Sequence, residues 1–143
     1  MVVAVKILHI AAAAVWLGHK VLIPGDLRAT IRDLTGSDRF VRRMERALRV
    51  GIASGLVTVL SGLGLIHLVF GFTSAPVRIY LGLAAVLAMF VVGALVARPA
   101  WDRIRTGLET GDAPAAAAAA GRFTRALALE NLLWVLALGT MVT

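Results

Sequence analysis

The chain has 143 residues, 59% of them hydrophobic, and carries 15 Lys and Arg against 8 Asp and Glu, a net charge of +7. Its mean hydropathy of +0.87 is too high for an ordinary soluble domain of this size, and it reads as one integral membrane unit. There is no cysteine, which excludes disulfides, thiolate metal sites, iron–sulfur clusters and covalent c-type haem attachment.

Four stretches, 2–23, 50–72, 77–97 and 123–142, reach the ~20 apolar residues that a helix needs to cross about 30 Å of hydrocarbon. Their apolar character is continuous rather than alternating, which excludes barrel strands. Only Lys6 and Arg78 lie near the span ends on one side, and every other Lys and Arg falls on or beside the two opposite loops. The positive-inside rule therefore puts 24–49 and 98–122 in the cytoplasm and both termini outside, in a bacterial-type plasma membrane. There the positive charge answers to membrane orientation and anionic headgroups, not to nucleic acid. Lys6 sits inside the first apolar run, so that run reads as a retained span rather than a cleaved signal.

In span one, His9, Ala12, Ala13, Trp16 and Lys20 share a face at helical spacing. Pro24 and Gly25 then break the span, Asp26 can cap a short helix, and Gly36 can end it. Ser37 or Asp38 starts a further helix that runs straight into span two, with Arg39, Arg42, Arg43, Arg46 and Arg49 at headgroup level. Span two carries the small residues Gly51, Ser54, Gly55, Thr58, Ser61, Gly62 and Gly64. They suit either close helix packing or space beside a cofactor, with Gly64 nearly one turn before His67. The connection 71–76 is so short that spans two and three must be antiparallel neighbours. Asp112, Pro114 and the alanine run 115–120 predict a helix entering span four. The expected fold is all-α: one domain, an antiparallel up-down-up-down four-helix bundle with short cytoplasmic amphipathic helices.

The polar residues inside the spans carry the functional expectations. His9 lies about 10 Å into span one and His67 about 7 Å from the outer end of span two, which predicts similar depths. A histidine in a span is costly unless paired, hydrated or bound, and neutral imidazole is a common axial ligand of haem iron. His9 and His67 are thus the candidate metal ligands of a non-covalent haem b, the alternative being histidines hydrogen-bonded to a carbonyl or a neighbouring helix. Trp16 can edge such a cofactor, Gly64 can make room for it, and Arg78 can pair with a propionate or act as an interfacial anchor. Tyr80 lies close by. His19 falls near the cytoplasmic end and cannot share that site. With Lys20 it can face Glu130 and Asn131, an inner polar cluster that reads as an ion pair or as a proton relay.

The opening Lys6-Ile-Leu-His9-Ile-Ala-Ala-Ala-Ala-Val-Trp16-Leu-Gly18 resembles the first helix of the CopD-like and HemJ-like membrane families. The Gly-rich second helix, the short external turn, the third helix with a basic residue near its start, and the fourth with Arg125, Asn131 and Met141 extend that resemblance along the chain. It implies haem binding at His9 and a membrane oxidoreductase of protoporphyrinogen oxidase type. Arg78 is the nearest match to the lysine that those oxidases use in the third helix, and an arginine stays charged where a lysine can titrate. The CopD-like relatives imply copper transport, with His9, His67 and Met89 or Met141 along a path, although Cu(I) favours softer ligands than this chain offers.

Three functions follow as expectations. The first is a b-type haem protein working in electron transfer or in oxidation of a hydrophobic substrate, with a membrane redox partner. The second is copper transport, and the third an accessory subunit of a larger membrane complex or a homo-oligomer.

Overall fold

A computed structural model describes the whole chain except Leu22, Thr35 and Thr143 and the side chains of His19, Val21 and Val142. The described residues are helical from end to end apart from short turns. The helices are α1 (Val2–Val21), α2 (Ile23–Asp33), α3 (Ser37–Val69), α4 (Val77–Val92), α5 (Arg98–Glu109) and α6 (Ala113–Val142). A five-residue π-helical stretch, Gly93–Ala97, joins α4 to α5 without a break.

Three stretches, Val2–Asp33, Ser37–Val69 and Val77–Glu109, are long and apolar enough to cross a membrane. The fourth long helix, α6, has 30 residues. The chain is thus an all-α protein with the helices of a multi-pass membrane protein. At 33 residues α3 is about 50 Å long, well beyond the ~30 Å of a hydrocarbon core, so one end must project from it.

The local chemistry explains the boundaries. Pro24 falls in the first turn of α2, where its missing N–H costs nothing. It therefore marks the start of α2 and does not end helical structure, as the proline alone suggests. Asp26, also in that first turn, pairs with Arg43 of α3 at 2.7 Å. The chain reverses between α2 and α3 through Leu34 and Gly36, whose φ values are 52° and 73°. As the sequence predicts, α3 then runs unbroken from its Arg-rich start into the apolar span. The turn between α3 and α4 is held by the Tyr80 hydroxyl, which donates to the Phe72 carbonyl. At the other end Asp112 accepts from the Ala115 N–H at 3.0 Å and opens α6, the cap that Asp112 and Pro114 predict.

α1 packs principally on α3, and α4 on α6. Both pairs are antiparallel: His9 meets Gly62 while Trp16 meets Gly55, and Gly82 meets Thr140 while Gly93 meets Glu130. α3 and α4 are joined by the short turn, yet each finds its main partner elsewhere. The larger core lies at the loop end, where Leu27, Phe40, Trp101, Ile104 and Phe123 pack together from α2, α3, α5 and α6. A smaller one, Trp16, Val86, Met89 and Ala137, ties α1, α4 and α6 within the spans.

Candidate functional site

Polar side chains meet inside the bundle at two levels. The outer one lies on the seam of α1 and α3, where Gly51, Ser54, Gly55, Thr58 and Ser61 are the buried face of α3. At Gly55 the helices come so close that a Cβ would stand 3.0 Å from the rings of both Trp16 and Phe90, so the small-residue stripe is a packing face. The hydroxyls on it are spent within the helix: Ser54 donates to the Gly51 carbonyl at 3.1 Å, Thr58 to Ser54 at 2.8 Å and Ser61 to Val57 at 2.6 Å.

His9 lies half-buried against this stripe, its Nδ1 2.9 Å from the Thr58 carbonyl and 3.0 Å from Ser61 Oγ. A carbonyl can only accept, and the Ser61 proton is committed to Val57, so Nδ1 must be the donor. The neutral ring therefore carries its proton on Nδ1 and its lone pair on Nε2, which has no hydrogen-bond partner among the described residues. His9 thus has the partner that the alternative to a haem ligand predicts, a carbonyl of the neighbouring helix, and a ring nitrogen so bonded while the other stays free is also the arrangement that orients metal-ligating histidines.

His67 does not join this arrangement. It lies nine residues from Thr58, half a turn round α3 from the face that meets His9, and about 8 Å further along the axis than Gly62. It is exposed and stacks on Phe72 at a centroid distance of 5.5 Å. The two histidines therefore do not face one another as the expected ligand pair requires, because the small-residue face fixes how α3 is rotated. Gly64 has open space around it and belongs to the outward side, not to the seam with α1. Arg78 is exposed at the start of α4. Trp16 is buried, but it packs on Phe90 at 5.2 Å, seven residues below His9, and not beside the imidazole.

The inner level is the cluster that sequence places around Lys20 and Glu130. Lys20 Nζ pairs directly with Glu130 Oε2, and the two residues are 7% and 4% exposed. The ammonium also stands 5.1 Å over the Trp16 ring, a cation–π contact that helps to hold it. Asn131 does not join the pair, and its buried Oδ1 has no hydrogen-bond partner among the described residues. The side chain of His19 lies outside the described residues. Beside the ion pair opens a cavity of about 450 Å³, bounded by Trp16, Met89, Phe90, Phe123 and the π-helical stretch. Neither the stretch nor the contact of Trp16 with Phe90 has a signal in composition, although π-helical turns occur often at functional sites.

No protein-family model matches the chain, and no curated protein or solved structure matches it. The arrangement itself must carry the functional reading. Among the described residues no three His, Asp or Glu gather to hold a metal ion. Met89 is buried beside Trp16 while Met141 is exposed, so they and the two histidines do not line one path through the bundle.

Proposed function

We propose that this chain is a four-span protein of a bacterial-type plasma membrane, with both termini outside, that holds a b-type haem through His9. Positive charge at the loop end supports the orientation. The length of α6 supports the fourth span. One observation carries the haem reading: the Nδ1 proton is given to the Thr58 carbonyl, which leaves Nε2 as a ligand of fixed tautomer. His9 would be the residue that holds such a group. His67, turned to the other side of α3, does not fit as the second ligand within the same chain.

Haem bound there would supply one-electron chemistry, and His9 would be the one imidazole of this site to hold it. That favours oxidation of a hydrophobic substrate, as the HemJ-like resemblance implies, over electron transfer alone. The chain's own part is to orient the imidazole, through the Thr58 carbonyl, and to bring α1 and α3 together through glycine and hydroxyl residues.

An optical spectrum of the purified protein, oxidised and then reduced with dithionite, tests this directly. A Soret band is expected, lost in His9→Ala and retained in His67→Ala, with helicity by circular dichroism unchanged in both. No Soret band, even after haem supplementation during expression, overturns the proposal, as does a band that depends on His67 but not on His9.

A further inference from the structure

The cavity next to Lys20 and Glu130 is a second place where ligand chemistry is built into the bundle, and it does not depend on haem at His9. Its lining comes from α1, α3, α6 and the α4–π segment, with Ile23 and Arg98 at the loop end. Ile52 and Ala94 on that lining are exposed on faces that a bilayer would cover. A molecule dissolved in the hydrocarbon can therefore reach it there. Inside, Trp16, Phe90 and Phe123 supply flat apolar walls. A volume of about 450 Å³ falls in the range that encloses small organic ligands.

The head of the site is the ion pair, and its stoichiometry selects the ligand. Lys20 uses one of its N–H groups on Glu130 Oε2, and an ammonium has three. Glu130 Oε1 faces Gly93, where a Cβ would stand 3.2 Å away, so the glycine keeps that oxygen uncovered. The pair is neutral as a whole, and Arg98, the other charged residue on the lining, is paired with Asp102 at 3.4 Å, which leaves a net anion or cation little advantage there. What it offers is a spare donor and a spare acceptor side by side in an apolar pocket, and an unmet polar group there is costly. The π-helical stretch widens the same wall, with the Arg98 N–H bonded five residues back to the Gly93 carbonyl.

The geometry points to a binding site for a neutral, membrane-dissolved ring molecule of the phenol or quinol class. Its hydroxyl donates to Glu130, its oxygen accepts from Lys20, and its ring lies among the aromatic walls.

The probe is a photoreactive azido-phenol with a decyl tail, added to the intact protein in lipid nanodiscs and mapped by mass spectrometry. Labels are expected on α1 near Trp16 and on α4 near Met89 and Phe90, and unlabelled decylphenol should compete them away. Ala94→Phe, at an exposed position that tolerates the larger side chain, should close the mouth and cut competed labelling ~tenfold. The double variant Lys20→Met with Glu130→Gln removes the charges together and should also cut it ~tenfold, the worth of one hydrogen bond to a charged group. Labelling that scatters over the lipid-facing surfaces, or that survives Ala94→Phe, overturns the site. Competition by decanoate as strong as by decylphenol overturns the neutral head. Neither readout depends on a Soret band, so the two proposals fail separately.

Discussion

The two halves of this bundle bury opposite kinds of residue. At the loop end Leu27 and Ile104 are fully buried, Trp101 and Phe123 are sealed beside them, and arginines cover the outside. Along the α1–α3 seam the buried positions of α3 are mainly glycine, serine and threonine, set against Ala12 and Trp16 of α1, while Ile7, Ile10, Ile52 and Leu60 face outward. The difference follows from the solvent each half meets. In water the hydrophobic effect drives large apolar side chains inward. In lipid it provides no such drive, and close packing between small residues and hydrogen bonds hold the helices together.

The largest expected effect breaks that comparison if it fails. Trp101→Ala, at a residue 1% exposed, should cost ~3–5 kcal/mol in a reversible unfolding titration in mixed micelles. Leu60→Ala, at a residue 68% exposed, should stay within ~0.5 kcal/mol. Equal losses would mean that the outer face of α3 is packed against protein, and the two-solvent account would fall. The ion pair at the junction of the halves comes next. Removing Lys20 alone leaves the buried Glu130 unpaired, so Lys20→Met should cost about 3–5 kcal/mol, and adding Glu130→Gln should recover most of it. Additive losses in that cycle would show that the two side chains do not depend on each other. Gly55→Val follows, at about 1–3 kcal/mol, because its side chain meets Trp16 and Phe90 where the helices touch. If Gly55→Val is neutral, the seam is looser than its distances indicate.

How far these features could be read in advance depends on whether they are local. The apolar spans, the unbroken run of α3 and the capped start of α6 were legible because length, basic periodicity and Asp112 with Pro114 act over a few residues. The Lys20–Glu130 pair was legible because Glu130 is the one carboxylate deep in an apolar stretch, and a charge there needs a partner. The relation of His9 to His67 depended on the rotation of α3, which depth alone does not give. A signal for it was present: Gly51, Ser54, Gly55, Thr58 and Ser61 already form one stripe, and His67 falls half a turn from Thr58. The π-helical stretch had no such signal, because Gly93-Ala-Leu-Val-Ala97 reads as ordinary apolar helix. Its form belongs to the meeting of α4 and α6 around Glu130, which is tertiary.

The smallest expected effect sharpens the same contrast. Ser61 accepts from His9 and donates to Val57, so its place in the seam resembles a link between α1 and α3. Its own proton, however, stays within α3, and that bond survives when the helices separate in the bilayer. The Thr58 carbonyl at 2.9 Å holds the imidazole without it. Ser61→Ala should therefore cost only ~0.6 kcal/mol, the ordinary worth of a hydrogen bond between helices in lipid. It should also leave any haem spectrum at His9 in place, since the tautomer is set by the carbonyl. A loss several times larger, or a lost Soret band, would move the control of His9 from the backbone to the hydroxyl and make Ser61 the positioning residue of the outer site.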